Sequence, residues 1–217
     1  AGGGIGILYL SIFSAFVMFG LVGFYPAIGL FLIISGTSAT LALRHDSLAL
    51  ALIGIAGALI APFILGGFVD NLDAGIIGGN LHLIAYIIVV DLGVIVLSSF
   101  KNWRWLTLVA LVGSLAAYGA WYAEHTDTVT HLTSHGSLTI IFLIFVAATI
   151  LFHFIWRRSP KPYDFTLMIS NASAYFAISY GLLSSDFRDW IGGFTLLLSL
   201  FYGGIAYLAL LRIRDHI

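Results

Sequence analysis

Long apolar stretches follow one another along almost the whole chain, with only short polar turns between them. About 20 apolar residues make a helix long enough to cross the hydrocarbon core of a bilayer, which is about 30 Å thick. Of the 217 residues, 60% are hydrophobic and 9% are charged, whereas soluble domains carry about 25% charged residues. Because backbone amides in lipid must be hydrogen-bonded within their own segment, these stretches predict an all-α, polytopic bundle of transmembrane helices.

The apolar stretches divide the chain into about eight spans, since each span and its turn need about 25 residues. All of them belong to a single transmembrane helical domain, residues 1–217. The predicted spans are residues 5–24, 27–43, 47–68, 81–97, 105–123, 138–156, 165–183 and 191–211. Only residues 23–26 separate the first two spans, and Pro26 is suited to the first turn of a new helix.

Eight spans place alternate turns on opposite sides of the membrane, and the basic residues collect on one side. Lys and Arg are retained on the cytoplasmic side, so we expect a multi-pass protein of the cell membrane with both termini in the cytoplasm. Arg188 is the exception, on the other side. The basic residues of the first side are Arg44, Lys101, Arg104, Arg157, Arg158, Lys161, Arg212 and Arg214.

The composition excludes several functions. The chain has no cysteine and a net charge of −1, so it lacks thiolate chemistry and the basic surface that nucleic acids require. It contains no nucleotide-binding loop, zinc-protease motif or Ser/His/Asp set. We therefore expect no enzyme activity, no cofactor and no nucleic-acid partner. The expected partners are the lipid bilayer and either other membrane subunits or further spans of a longer protein within which this chain begins.

Asp91 is the one carboxylate inside an apolar run. Six residues separate it from the predicted end of its span at Leu97, which places it about 9 Å from the cytoplasmic end. An ionised carboxylate at that depth costs several kcal/mol unless it is paired. Two interpretations stand: a neutral side chain that hydrogen-bonds a neighbouring helix, which we favour, or a protonation or ion site. Its predicted partners at similar depth are Asn171, His153, Ser170 and Ser173.

The third predicted span carries small residues at spacings of three and four. We expect these residues to let neighbouring helices approach closely. Pro62 follows them and either interrupts the helix at a substrate site or ends it near the interface. The small residues are Gly54, Gly57, Ala58 and Ala61.

The histidines suggest two other sites. His131 and His135 lie four residues apart in the predicted outer loop, with the spacing of a zinc or copper site, but a solvated loop without metal is favoured. His153 could hold a pigment. A histidine near the interface more often extends its polar ring atoms to water instead. A haem between His82 and His153 is excluded because the two lie at opposite ends of their spans.

Two segments, residues 41–66 and 102–113, carry a recognisable pattern. It consists of a basic turn, an apolar helix with small residues that ends in Gly-x-x-x-x-Pro-Phe, and a later Trp-Arg-Trp sequence. The pattern resembles the predicted membrane proteins grouped as domain of unknown function 2339, over roughly residues 40–120 and more loosely elsewhere. The resemblance implies a fragment or short relative of a larger membrane protein. It implies no chemistry, because that family has no assigned activity.

Helical hairpins of the same orientation also recur along the chain. When Gly57 is placed over Gly113, the apolar residues around them align and the polar turns before them nearly coincide. The hypothesis we favour is a non-catalytic structural or accessory module that packs against other membrane helices. The alternatives are a small-solute or proton-coupled transporter that uses Asp91, and a pigment- or cofactor-associated accessory subunit.

Overall fold

The computed structural model describes residues 2–66, 81–101, 103–124, 131–154 and 162–214. Within these ranges all regular secondary structure is helical, which confirms the all-α prediction. The α-helices are α1 (Gly2–Phe13), α2 (Phe24–His45), α3 (Leu48–Gly66), α4 (Leu81–Phe100), α5 (Arg104–Glu124), α6 (His131–Phe154), α7 (Pro162–Asp186) and α8 (Ile191–Arg214). A π-helical turn, Ser14–Met18, continues α1, and a 3-10 turn, Arg188–Trp190, precedes α8.

Five segments of the described chain are long and apolar enough to cross a membrane. A sixth and a seventh, Gly2–Met18 and Leu48–Ala61, are apolar but shorter. The prediction of a protein with several membrane-spanning helices is therefore supported. The five long segments are Phe24–His45, Leu83–Phe100, Trp105–Ala123, His131–Ile150 and Arg188–Tyr207.

Two predicted boundaries differ most from the structure. The first helix ends at Met18 instead of residue 24, because the backbone at Gly20 has a positive φ of 59° that does not continue a right-handed helix. The sixth helix begins at His131 instead of residue 138. His131 and His135 therefore lie on the first two turns of α6, and the expected solvated loop does not extend over them.

The first of two compact units comprises residues 1–171. Here α3 packs against α1, α2, α4 and α5, while α6 packs against α4 and α5. The pairs α2–α3 and α4–α5 are antiparallel hairpins with short connections. An apolar cluster of Ala27, Phe31 and Ala61 joins α2 to α3, and the ring of Tyr9 from α1 stacks on Phe31 at 5.4 Å.

Several helix ends meet at one end of this unit. Asp46 ends α2 in the left-handed conformation, with φ of 50°, which aspartate tolerates better than most residues. Its carboxylate pairs with Lys101 Nζ, after α4, at 3.0 Å. The ring of Trp105 at the start of α5 packs edge-on against Tyr163 at the start of α7, with 4.9 Å between centroids. These contacts bring four helix ends to the same side of the bundle.

The second unit comprises residues 172–217 and contains the rest of α7 together with α8. The ring of Phe194 on α8 lies 5.7 Å from Tyr175 and 6.3 Å from Phe176. None of the described side chains of α8, residues 191–207, is buried. In a bilayer these apolar residues are available to lipid or to another helix.

Candidate functional site: the buried Asp91 and the helices around it

Asp91 lies near the middle of α4, nine residues before the helix ends at Phe100. It is deeper than predicted, because α4 continues three residues past the expected end. Its side chain is fully buried, and Ser114 Oγ on α5 donates a hydrogen bond to its Oδ1 atom at 2.5 Å. The other carboxyl oxygen, Oδ2, has no hydrogen-bond partner among the described residues. The site is thus an interhelical acid–hydroxyl pair with one oxygen unused.

Of the predicted partners of Asp91, Asn171 makes its described hydrogen bond to another helix. Asn171 is buried, but its Nδ2 atom donates to the carbonyl oxygen of Phe142 on α6, at 3.1 Å. Ser170 and Ser173 are exposed on α7. His153 lies on the last turn of α6, and its side chain falls outside the described part of the protein. The described partner of Asp91 is Ser114 on α5, a residue outside the predicted set.

Sequence reasoning missed Ser114, although the chain carries a signal for it. Since α4 and α5 form an antiparallel hairpin, residues on the two helices whose numbers have the same sum lie at the same level. Asp91 and Ser114 are one such pair, and Ser98 and Thr107 are another, two helical turns closer to the connecting turn. Ser98 and Thr107 are both buried, with 1% of each exposed. Counting outward from the short connection between α4 and α5 would have found both levels.

The small residues of α3 lie where other helices come closest. A Cβ atom at Gly54 would meet Ser38 Oγ at 2.7 Å, and one at Gly57 would meet the ring of Tyr9 at 2.5 Å. Ala58 and Ala61 are buried in the same helix. Because Gly54 and Gly57 have no side chain, α1 and α2 pack directly against the backbone of α3.

Backbone carbonyls of α3 accept hydrogen bonds from side chains of three other helices. Ser38 Oγ donates to Leu50 O at 2.8 Å and Tyr9 Oη donates to Gly54 O at 2.9 Å, with Ser35 Oγ sharing the latter carbonyl at 3.3 Å. Four residues further along, Ala58 O accepts from Tyr86 Oη of α4 at 2.8 Å. These accepting carbonyls follow at steps of four residues, so they run along one side of α3. The polar side chains involved hold helices together.

Two of the histidines considered as metal ligands, His131 and His135, lie on α6. His131 is exposed at the start of α6, and His135 is partly buried one turn later. No group of three or more His, Cys, Asp or Glu side chains that could hold a metal ion occurs among residues whose positions are described.

A family model described as "Predicted membrane protein (DUF2339)" matches residues 1–215. The chain belongs to the DUF2339 family. The match covers nearly the whole chain and confirms the resemblance that residues 41–66 and 102–113 indicated. Comparisons with curated proteins and with solved structures gave no match. For this DUF2339 protein, a functional proposal therefore depends on its own residues.

Proposed function

We propose that this DUF2339 protein is a non-catalytic accessory module of the cell membrane. In this proposal it crosses the bilayer eight times with both termini in the cytoplasm, and it packs against other membrane subunits or further spans of a longer polypeptide. The observation that carries the proposal is the apolar, unburied surface of α8.

The small residues of α8 give that surface the shape that helix packing needs. Gly192, Ser199 and Gly203 are separated by seven and four residues, so they lie on one face of the helix. Added Cβ atoms at Gly192 and Gly203 would meet no atom within 4 Å. Small residues on one face allow a second transmembrane helix to approach closely, which is a main source of helix association in lipid.

The use of the polar groups within the first unit also supports a structural role. The described hydroxyls of Ser35, Ser38, Tyr9 and Tyr86 all donate to carbonyls of α3. Transport sites usually combine several polar residues near the membrane midplane, often beside an interrupted helix. Pro62 does not interrupt its helix, because α3 continues to Gly66.

The lengths of the shorter helices are compatible with eight spans. The 17 residues Gly2–Met18 extend about 25 Å and the 19 residues of α3 about 28 Å at 1.5 Å per residue. A bilayer thins locally around such spans at a modest cost. The gathering of the Asp46–Lys101 and Trp105–Tyr163 contacts at one end agrees with turns that share one side of the membrane.

The proposal is tested by photocrosslinking in native membranes. A photoreactive amino acid at Leu200, exposed on α8, should crosslink to a membrane-spanning peptide of another chain or of a longer form of this one. The same amino acid at Ile33, exposed on α2, is the control and should give lipid adducts. Gly203→Leu should abolish the Leu200 crosslink, whereas Gly36→Leu on α2 should leave it. Lipid adducts alone from both positions would contradict the accessory role.

A proton-coupled transporter is the alternative function, and the unused Oδ2 atom of Asp91 is the observation that favours it. An acid at the centre of a membrane helix is a common proton carrier in transporters. Purified protein in vesicles should then carry a proton-driven solute flux that Asp91→Asn abolishes. Absence of any proton-dependent flux would leave the accessory role as the function.

A further inference from the structure

We propose that Asp91 is a proton-exchange site. Water carries the proton to Asp91 from the end of the α4–α5 hairpin that holds Lys101, past the buried hydroxyl groups of Ser98 and Thr107. This site goes beyond the accessory role and does not require it.

The first step is the chemistry of Asp91 itself. The side chain is fully buried in an apolar helix, and its described hydrogen bond comes from a neutral hydroxyl, Ser114 Oγ. No described cation lies against it. A charged carboxylate in such a place costs several kcal/mol, so the neutral acid is the resting form. Ser114 donates to Oδ1, which leaves Oδ2 to carry the acid hydrogen.

The second step concerns two buried hydroxyl groups, of Ser98 and Thr107, that lie between Asp91 and the end of the hairpin at Lys101. Ser98 lies seven residues after Asp91 and Thr107 seven residues before Ser114, so each is on the same face of its helix as the pair and about 10 Å away. Thr107 Oγ1 is buried and has no hydrogen-bond partner among the residues described. Ser98 Oγ donates to Ile95 O within its own helix at 3.0 Å and can still accept a hydrogen bond.

The third step joins these groups. Two buried oxygen atoms, Asp91 Oδ2 and Thr107 Oγ1, lack partners on facing helices of one hairpin. Buried groups of this kind ordinarily bind water, which makes several hydrogen bonds to them. Beyond Thr107 the hairpin ends within one turn at Lys101, which is partly exposed and paired with Asp46. These polar atoms therefore mark a route for protons from the surface near Lys101 to the carboxyl group of Asp91.

The exchange step balances as an ordinary proton transfer. The O–H bond at Oδ2 breaks and its proton passes to a water molecule, which leaves a carboxylate whose Oδ1 still accepts from Ser114. The return step restores the acid. An isolated apolar site with no polar route would exchange this proton far more slowly, since an ion would have to cross hydrocarbon.

Other titratable groups on the helices around Asp91 are few and lie mainly near helix ends. The elements packed against α4 are α2, α3, α5 and α6, and α3 contributes none. Tyr118 of α5 donates its hydroxyl to Ser134 O at 3.0 Å and so is engaged elsewhere. The remaining titratable side chains are Tyr25, Arg44 and His45 of α2, His82 and Tyr86 of α4, Arg104, Tyr122 and Glu124 of α5, and His131, His135 and His153 of α6.

Infrared difference spectroscopy of the whole chain in lipid vesicles tests the proposal. The protein should show the carbonyl stretch of a protonated carboxylic acid at neutral pH, lost in Asp91→Asn. Transfer into D2O should shift that band as deuterium replaces the acid hydrogen. Thr107→Val should slow this replacement about tenfold, the factor expected for one missing hydrogen bond along the route.

One further variant on the route and two control variants make the result decisive. Ser98→Ala should also slow the exchange of the acid hydrogen for deuterium. It tests the same route if the Thr107→Val protein folds poorly. Tyr118→Phe, on the opposite half of α5, and Thr40→Val, an exposed threonine of α2, should leave the rate unchanged. The proposal is overturned if the band is absent, if it does not respond to D2O, or if neither Thr107→Val nor Ser98→Ala slows the exchange.

Discussion

The ring of Tyr9 on α1 lies over Gly57 on α3, so close that a Cβ atom at residue 57 would come within 2.5 Å of the ring carbon Cε2. The Tyr9 hydroxyl is fixed by its hydrogen bond to Gly54 O. The ring also stacks on Phe31 of α2. The tyrosine therefore joins three helices at a point where α3 has no side chain.

Gly57→Ala should destabilise the protein by about 1–3 kcal/mol, the usual cost of forcing an extra methyl group into a packed site. The ring of Tyr9 cannot move aside without giving up its hydrogen bond to Gly54 O. The free energy of unfolding in detergent measures the effect.

Gly29→Ala on α2 is the matched control, because an added Cβ there meets no atom within 4 Å. Alanine is the better helix former, so this variant should be neutral or more stable by up to about 1 kcal/mol. Equal losses in both variants would show that the contact between Tyr9 and Gly57 does not matter for stability.

Tyr86→Phe should cost about 0.6–1.7 kcal/mol, between the average and the maximum measured for hydrogen bonds between helices in a membrane protein. The Tyr86 hydroxyl donates to Ala58 O, and the rest of the ring stays buried in the phenylalanine variant. Tyr207→Phe on α8 removes a hydroxyl from a side chain that is 62% exposed and should change stability little. A Tyr86→Phe protein as stable as the Tyr207→Phe protein would be evidence against the hydrogen bond.

Hydropathy predicted the type of most helices and missed two of their ends for identifiable reasons. Phe19 and Leu21 are apolar, so hydropathy continues past Met18, whereas the helix ends in a turn that needs the positive φ of Gly20. The polar start of α6 reads as a loop. It is helical, and Ser134 there is buried and accepts a hydrogen bond from Tyr118.

The site was predicted only in part, because sequence position gives the depth of a residue and not the direction of its side chain. Asp91 and Asn171 lie at similar depth, yet Asn171 bonds to α6 and Asp91 to α5. Trp121 shows the same difficulty: its place near the end of a predicted span is typical of an interfacial tryptophan, but it is 1% exposed and packs on Tyr118 at 5.7 Å. Hairpin register would have given Ser114.

Asp91→Leu should cost about 0.6–2 kcal/mol of stability, because it removes the hydrogen bond to Ser114 and puts an apolar side chain of similar shape in its place. Asp91→Asn should be nearly neutral, since the amide oxygen can still accept from Ser114 Oγ.

A double-mutant cycle with Ser114→Ala isolates the pair. Once Ser114 is removed, Asp91→Leu should cost less than it does alone, or even stabilise the protein. Strict additivity of the two single changes would mean that the bond at 2.5 Å contributes nothing.

The proposed topology predicts which residues a cysteine reagent reaches from each side of the membrane. The chain has no cysteine of its own, so only an introduced cysteine is labelled. Eight spans place residue 130, between α5 and α6, outside the cell and residue 159, between α6 and α7, in the cytoplasm. An impermeant maleimide should therefore label Thr130→Cys in intact cells and Ser159→Cys only after the membrane is opened. Ala58→Cys, at a fully buried position, is the control and should stay unlabelled in both conditions. Equal labelling of residues 130 and 159 in intact cells would rule out the eight-span arrangement, because one span separates them.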